Sequence, residues 1–250
     1  MAFVNSYKPS GPPTAVTSNG PYNINFAFSL PQATLESPRV KLTPFIPSLH
    51  AEPFFAIASA HPDLSRYLPF TFPDLSKFLF FIEAYFRSDP TSILFAVIEK
   101  TRPNPEQDLV QSLAGIVGLY RCSPQNLSTE IGPVIILPAF QRTFVSSNAI
   151  GIVLRYCLDL PTGSNPGLGF RRVQWTANPN NAASIRAAER MGMRLEGTMR
   201  WTWVMGEGKE GKEVVGRGEG PGRDSVILAV CWDDWEGGVR EHVGRLIERV

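Results

Sequence analysis

The chain has 250 residues and a mass of 27.6 kDa, with 43% hydrophobic and 19% charged residues. This composition is typical of a globular protein, and the length favours one large domain. The formal net charge of +1 and the pI near 7.7 generate no broad electric field, so we expect neither nucleic acid nor a membrane as a partner. The first residues lack the pattern of a secretory signal, and no apolar run is long enough to span a bilayer, which predicts a cytoplasmic protein.

Residues 1–36 are rich in Pro, Ser, Asn and Gly and almost free of charge, with scattered aromatic residues: Phe3, Tyr7, Tyr22, Phe26 and Phe28. Such a composition predicts an N-terminal arm ahead of a single domain at residues 37–250. The arm either packs on the surface of the domain, or lies over a substrate cleft or a partner subunit.

In the first half of the domain, segments with the hydrophobic period of a strand alternate with segments that have the period of a helix. RVKLTPF predicts a strand, LHAEPFFAIASAHPDL and DLSKFLFFIEAYFRS predict helices, and SILFAVIEK predicts another strand before the turn-rich TRPNPEQD. LAGIVGLYRC and EIGPVIILP then complete an antiparallel meander. A helix follows, with one apolar face formed by Ala149, Ile150, Ile152, Val153, Leu154, Cys157 and Leu158.

The second half repeats a strand-to-helix unit. FRRVQWTA predicts a strand, Asn180 or Asn181 an N-cap, AASIRAAERM a helix, and Gly192 its C-terminal end. Two further strands, LEGTMRWTWVM and DSVILAVCW, are separated by glycine-rich and charged residues 206–223, which predict a mobile hairpin loop. Trp235, Val239, Val243, Leu246 and Val250 recur at helical spacing and predict a final amphipathic helix.

Neither the cysteines nor the histidines form a recognisable ligand pattern. Cys122, Cys157 and Cys231 are odd in number and far apart, which argues against disulfides and a zinc site. Cys157 and Cys231 lie in apolar segments, so core packing is the expected role. The three histidines have no ligand spacing, and we therefore expect no metal.

The most informative junction is where EIGPVIILPAFQ leads through Arg142 and Thr143 into a helix. The first turn of a helix presents unpaired backbone N–H groups and the positive end of the helix dipole, which together favour an anion such as a phosphate. Arg142 can add a charge-assisted hydrogen bond.

With these segments in view, the chain from Arg39 onward resembles the GNAT superfamily of acetyltransferases. The residues that carry the resemblance are EIGPVIILPAFQ, NPNNAASIRAAERMGMRLEGTMR and RDSVILAVCWDDW. Within the superfamily, they are similar to the branch of ribosomal-protein-alanine N-acetyltransferases. The resemblance implies an α/β fold with a splayed, mostly antiparallel mixed sheet flanked by helices. It also implies acetyl-CoA as the donor and a small-molecule or peptide amine as the acceptor, in a monomer or homodimer.

The resemblance further implies positions for the donor. Ile135, Ile136 and Leu137 would pair with the pantetheine arm, and Asn181 and Ser184 would face the thiol, with Asn178 beside them. Asn181 and Ser184 could instead cap and fill the helix. The pyrophosphate would be wrapped by the loop and first helical turn: Arg142, Thr143, Phe144, Val145, Ser146 and Ser147.

Two positions depart from the family pattern. Phe144 stands where the phosphate loop usually has its first glycine, and its bulk would narrow the pyrophosphate groove. A helical backbone at Phe144 would nevertheless be unstrained. Many members also have a tyrosine general acid four residues before the glycine that ends the later helix. That position is Ala188, which makes Ser184 the candidate proton donor.

An amine must be neutral before it attacks a thioester, whereas a free amine with a pKa of about 10 is mostly protonated at neutral pH. Glu130 is the best candidate for a general base, followed by Asp63 and Glu196, although Glu130 could be a solvent-facing carboxylate at the end of a strand. The aromatic residues Tyr67, Phe70 and Phe72 either line the acceptor pocket or form core beneath a helix pair.

Two alternatives remain open at the level of sequence. A catalytically silent CoA-binding or interaction domain would account for Phe144 and Ala188. A transferase that uses another acyl group, or an alcohol as the acceptor, would have the same fold. Backbone N–H groups of the fourth strand would stabilise the oxyanion in direct transfer, so the reaction requires no nucleophilic triad.

Overall fold

A computed structural model describes residues 21–105, 108–206 and 208–248. Phe3, Tyr7 and Val250, named above for the arm and the final helix, lie outside these residues. No helix among the described residues has the length and apolar character to cross a membrane.

The core is a seven-stranded sheet in the order β1-β2-β3-β4-β5-β7-β6. The strands are β1 (Val40–Pro44), β2 (Ile93–Glu99), β3 (Leu113–Ser123), β4 (Ser128–Ile136), β5 (Arg172–Ala177), β6 (Arg194–Val204) and β7 (Gly222–Cys231). The helices are α1 (Pro47–Ser59), α2 (Leu75–Ile82), α3 (Leu109–Ser112), α4 (Val145–Leu158), α5 (Ala182–Arg190), α6 (Trp232–Asp234) and α7 (Arg240–Ile247). A π-helical turn at Glu83–Arg87 extends α2. Between α6 and α7 the chain kinks at Gly238, where φ is 125°.

All neighbouring strands are antiparallel except β4 and β5, which run parallel. The parallel pairing covers only Ser128 to Ile131 on β4, and beyond it the two strands separate. A bulge in β4 accompanies this separation, because Val117 pairs with Val134 whereas Leu119 pairs with Ile131. Bulges bend a strand and increase its twist. The splayed, mostly antiparallel α/β sheet implied by the resemblance is confirmed.

Helix α4 is buried over most of its circumference, beyond the single apolar face that the sequence predicts. Asn148 and Tyr156 are buried together with the apolar residues, and each has a hydrogen-bonding partner. The Asn148 side chain donates to the Phe144 carbonyl and accepts from Ser37, while the Tyr156 hydroxyl donates to the Ser29 carbonyl. Residues that precede β1 in the chain therefore pack against α4 and bind its buried polar side chains.

The described part of the N-terminal segment lies against the domain. Phe26 and Phe28 are partly buried against the core, and the Phe28 ring meets Phe170 edge to face at 5.6 Å. Thr34 donates a hydrogen bond to the Pro166 carbonyl.

One cysteine differs from expectation. Cys122 and Cys157 are buried, whereas Cys231 is only half-buried. The reason is its place at the end of β7, where the sheet gives way to α6 at the surface. All three cysteines are free thiols.

Candidate functional site

The divergence of β4 and β5 opens a cleft of about 730 Å³. Its walls come from the separated strand ends, the start of α4, one face of α5, and the segment between α1 and α2. The lining residues are Asp63, Leu64, Tyr67, Leu68, Ile131, Gly132, Pro133, Val134, Ile135, Ile136, Gln141, Arg142, Thr143, Ser146, Ile150, Trp175, Thr176, Ala177, Asn178, Asn181, Ala183, Ser184, Arg186, Ala187, Arg190 and Arg223.

The open side of β4 presents free backbone groups to this cleft. Leu137 donates its N–H to the Ala114 carbonyl of the neighbouring strand, and in an antiparallel ladder alternate residues point the same way. Ile135 and Leu137 therefore face β3, whereas Val134 and Ile136 face the cleft. The Gln141 side chain donates to the Ile136 carbonyl at 2.9 Å, which is consistent with that direction. Of the three residues predicted to pair with pantetheine, Ile136 has the suitable orientation, and Val134 joins it.

The start of α4 lies at one end of the cleft. Arg142 has a positive φ of 60°, an uncommon conformation for a non-glycine residue, and it turns the chain into the helix. Thr143 accepts from the Val145 N–H at 3.3 Å, while Phe144 at the N-cap provides no side-chain acceptor. The N–H groups of Ser146 and Ser147 have no acceptor within the helix, so this end can bind an anion. Val145 is fully buried and can contribute only to the packing beneath the loop.

The Phe144 ring does not enter the cleft. Its backbone is helical, with φ −66° and ψ −17°, and the Arg39 guanidinium lies 4.1 Å from the centre of its ring. The ring instead borders a separate depression with Glu99, Arg102 and Phe140. The Phe144 ring therefore does not narrow the cleft, contrary to the expectation from the sequence, because it lines the second depression instead.

Glu130 is half-buried, and its carboxylate lies between two side chains of β5. Thr176 donates to Oε1 at 2.5 Å and Gln174 donates to Oε2 at 3.0 Å. Thr176 lines the cleft but Glu130 does not. The Thr176 hydroxyl therefore connects the carboxylate to the cleft.

Asn178, Asn181 and Ser184 all line the cleft near the start of α5. Asn181 is the N-cap and accepts from the Ser184 N–H at 3.1 Å. The Ser184 hydroxyl accepts from the Trp175 indole N–H at 2.9 Å. Because its oxygen is held by this donor, the Ser184 hydroxyl proton can be donated into the cleft. Ala188, the position at which the resemblance led us to look for a tyrosine general acid, is fully buried.

The segment between α1 and α2 forms the opposite end of the cleft. Asp63 and Tyr67 line it, whereas Phe70 and Phe72 do not. Both phenylalanines pack against Phe81, with ring centres at 4.7 and 4.9 Å. Glu196 is also outside the cleft and forms an ion pair with Arg172 at 2.6 Å. Hydrogen bonding and the Arg172 charge hold the pKa of Glu196 below its usual range, which makes it a poor proton acceptor.

Three potential metal ligands, Cys231, Asp233 and Asp234, lie close together in the described part of the chain. Asp234 already accepts from the Cys231 N–H and pairs with Arg194 at 2.7 Å. Its carboxylate is therefore satisfied without an ion.

A family model described as the acetyltransferase (GNAT) domain matches residues 39–194, which is more than half of the chain. The chain belongs to this family. As a GNAT acetyltransferase, it has acetyl transfer as its class of reaction. A comparison of the sequence with curated proteins finds no match.

Solved structures of acetyltransferases share the GNAT fold. A GCN5-related N-acetyltransferase from Brucella melitensis is 26% identical, with a TM-score of 0.66 over 85% of this chain and 84% of its own. RimJ from Mycobacterium smegmatis, in complex with CoA-disulfide, is 15% identical, with a TM-score of 0.60 over 82% and 88%. A spermidine N-acetyltransferase from Vibrio cholerae, in complex with CoA and spermine, is 13% identical, with a TM-score of 0.57 over 79% and 98%. The last two similarities concern the fold alone.

Several residues in or beside the cleft of this GNAT domain were not predicted from the sequence. Gln174 and Thr176 alternate with buried residues along β5, a period-two signal that points them to one face but does not identify Glu130 as their partner. Arg186 and Arg190 are one turn apart on α5 and add positive charge to the cleft. Arg223 opens the RDSVILAVCWDDW segment that carries the resemblance, but the sequence predicted it at the end of the loop over residues 206–223, whereas the structure places it at the start of β7.

Proposed function

We propose that this GNAT acetyltransferase transfers the acetyl group of acetyl-CoA directly to a primary amine in the cleft between β4 and β5. The observation that carries the proposal is the junction of the open β4 edge with the α4 N-terminus in one cleft. A pantetheine arm requires an extended edge to pair with, and a pyrophosphate requires free N–H groups at its end.

The positive charges that line the cleft favour binding of the phosphate groups of acetyl-CoA. Arg142, Arg186 and Arg190 line it together with Ser146, whose N–H has no acceptor within α4. Arginine recognises phosphate through charge-assisted hydrogen bonds. The complexes of RimJ with CoA-disulfide and of the Vibrio cholerae enzyme with CoA and spermine support a CoA thioester as donor and a small-molecule amine as acceptor.

Acetyl-CoA supplies an activated thioester, and side chains of this protein accept and donate the protons of the reaction. We assign the role of general base to Glu130, which acts through the Thr176 hydroxyl or a water molecule beside it. The Val134 and Ile136 N–H groups polarise the carbonyl. The Ser184 hydroxyl donates to the departing thiolate, since its oxygen is already occupied by Trp175.

The proposal is tested first by calorimetric titration with acetyl-CoA and with desulfo-CoA, followed by assay of thiol release over a panel of amines. We expect Glu130→Gln to retain acetyl-CoA binding and to lower kcat by about 100-fold, the effect of removing a general base. Glu196→Gln is the matched control, because this carboxylate lies outside the cleft, and its kcat should be unchanged.

Binding of acetyl-CoA without turnover of any amine would instead indicate a catalytically silent domain. Equal activity of Glu130→Gln and the wild type would remove Glu130 from the mechanism while leaving acetyl transfer intact.

A further inference from the structure

Arg223 is a buried guanidinium at the end of the cleft formed by the segment between α1 and α2. Its side chain is only 6% exposed, yet it is one of the cleft-lining residues. Each of its three nitrogens donates one hydrogen bond: Nε to the Asp224 carbonyl at 3.1 Å, Nη1 to the Tyr67 carbonyl at 2.9 Å, and Nη2 to the Ser225 hydroxyl at 3.1 Å. All three acceptors are neutral.

The charge of Arg223 has no ion-pair partner among residues 21–105, 108–206 and 208–248. A buried charge without a counter-ion is costly, and burial lowers the pKa of Arg223 accordingly. The three hydrogen bonds leave one N–H on each terminal nitrogen, because each of these nitrogens carries two. A buried cation with spare donors beside a cleft is suited to an anionic group that arrives with a ligand.

The Glu130 carboxylate acts on Arg223 and raises the pKa of the guanidinium, against the lowering by burial. Glu130 is held by Thr176 and Gln174 rather than by Arg223. Thr176, which donates to Glu130, and Arg223 both line the same cleft. A ligand that carries an amine and a carboxylate close together would match both charges.

We infer that Arg223 binds a carboxylate of the acceptor, so that the preferred acceptor is an amine with a nearby carboxylate, such as an α-amino acid. This inference rests on the proposed function and specifies its substrate class. Arg223 selects and orients the acceptor, and the acceptor amine is thereby directed toward Thr176 and Glu130. The hydrogen bonds of Arg223 run to β7 and to Tyr67, and none reaches the α4 start where the phosphates are expected.

The test compares acceptors that differ only in the carboxylate. Methionine, phenylalanine and glutamate are each assayed beside the corresponding amide and the decarboxylated amine, with spermine and a short peptide included as amines lacking a nearby carboxylate. We expect the wild type to favour each amino acid over its amide by about 10- to 100-fold in kcat/KM, the range for a charge-assisted hydrogen bond.

Arg223→Gln should abolish this preference and leave calorimetric binding of acetyl-CoA unchanged. Ser225→Ala is the matched control, because it removes one hydrogen-bond acceptor of Arg223 and keeps the charge, and its preference should persist. If Arg223→Gln does not fold, Arg223→Lys retains the charge without the planar fork and should reduce the preference.

The inference is wrong if the wild type acetylates amides or simple amines as well as amino acids, or if Arg223→Gln keeps the preference. A loss of acetyl-CoA binding in Arg223→Gln would also overturn it and would assign the guanidinium to the donor. These results differ from failure of the proposed function, which would appear as acetyl-CoA binding without transfer to any amine of the panel.

Discussion

His50 is a buried imidazole that caps a helix. Its Nδ1 accepts from the Ile46 N–H at 2.9 Å, at the start of α1, and its ring lies 5.3 Å from that of Phe45. Burial lowers the pKa of His50 from 6.5 to about 4. Only the neutral ring can accept the hydrogen bond, so protonation removes the cap and leaves a buried charge.

The pH dependence of stability follows from this shift. Between pH 6.5 and about 4 the unfolded chain binds a proton at His50 and the folded chain does not, so stability falls as the pH falls. The shift corresponds to about 3 kcal/mol in the free energy of unfolding. Urea denaturation at a series of pH values should reveal this loss, and His50→Asn should flatten the profile. His61→Asn, at an exposed position, is the control, and an unchanged slope in His50→Asn would contradict the prediction.

In the loop that leads into α4, the sequence suggested that the Phe144 side chain would obstruct the pyrophosphate groove. Phe144 occupies the position of a family glycine, but its ring packs beneath Arg39 outside the cleft. We therefore expect Phe144→Gly to change acetyl-CoA affinity by less than about twofold while lowering the free energy of unfolding by about 1–2 kcal/mol, through lost apolar burial and a lost cation–π contact.

Calorimetry and urea denaturation measure the two effects separately. Arg142→Ala is the comparison, because this residue lines the cleft and its loss should weaken acetyl-CoA binding by about tenfold. A marked gain in affinity in Phe144→Gly would show that the ring does obstruct the groove.

The seven strands and the helices α1, α2, α4, α5 and α7 were predictable, because each follows a hydrophobic pattern along the chain. The short helices α3 and α6 were not, because they span only four and three residues. The alternation in RVQWTA and the N-cap at Asn181 appear as expected. What the local pattern lacks is information about partners far apart in sequence. Glu130 and Thr176 meet only because β4 and β5 run parallel for a short distance. The glycine-rich residues before Arg223 likewise do not reveal that β7 begins at Gly222 and that the Arg223 guanidinium is buried.

For the molecule as a whole, the short β4–β5 pairing means that the sheet consists of two parts joined over a few residues. Other contacts must hold the parts together while leaving the cleft open. Helix α4 follows β4 in the first part, and α7 follows β7 in the second. The two helices pack against each other at Gly151, which faces Val243 and Ile247. This close helix contact joins the two parts behind the cleft.

Replacing Gly151 tests that arrangement, because there is no room for a side chain. A Cβ at this position would lie 2.6 Å from the Ile247 Cγ2 and 3.1 Å from the Val243 Cγ1. Gly151→Val should therefore force α7 outward and lower the free energy of unfolding by about 1–3 kcal/mol, the usual effect of overpacking a core. Urea denaturation measures the loss.

Gly244→Ala is the control on the same pair of helices. A Cβ at Gly244 meets nothing within 4 Å, and alanine favours the helix over glycine by about 1 kcal/mol, so this variant should be slightly stabilised. If the helix contact also holds the two sheet parts in register, Gly151→Val should weaken acetyl-CoA binding, although Gly151 is not a cleft-lining residue. Unchanged affinity in a destabilised Gly151→Val would show that the β4–β5 pairing alone maintains the cleft.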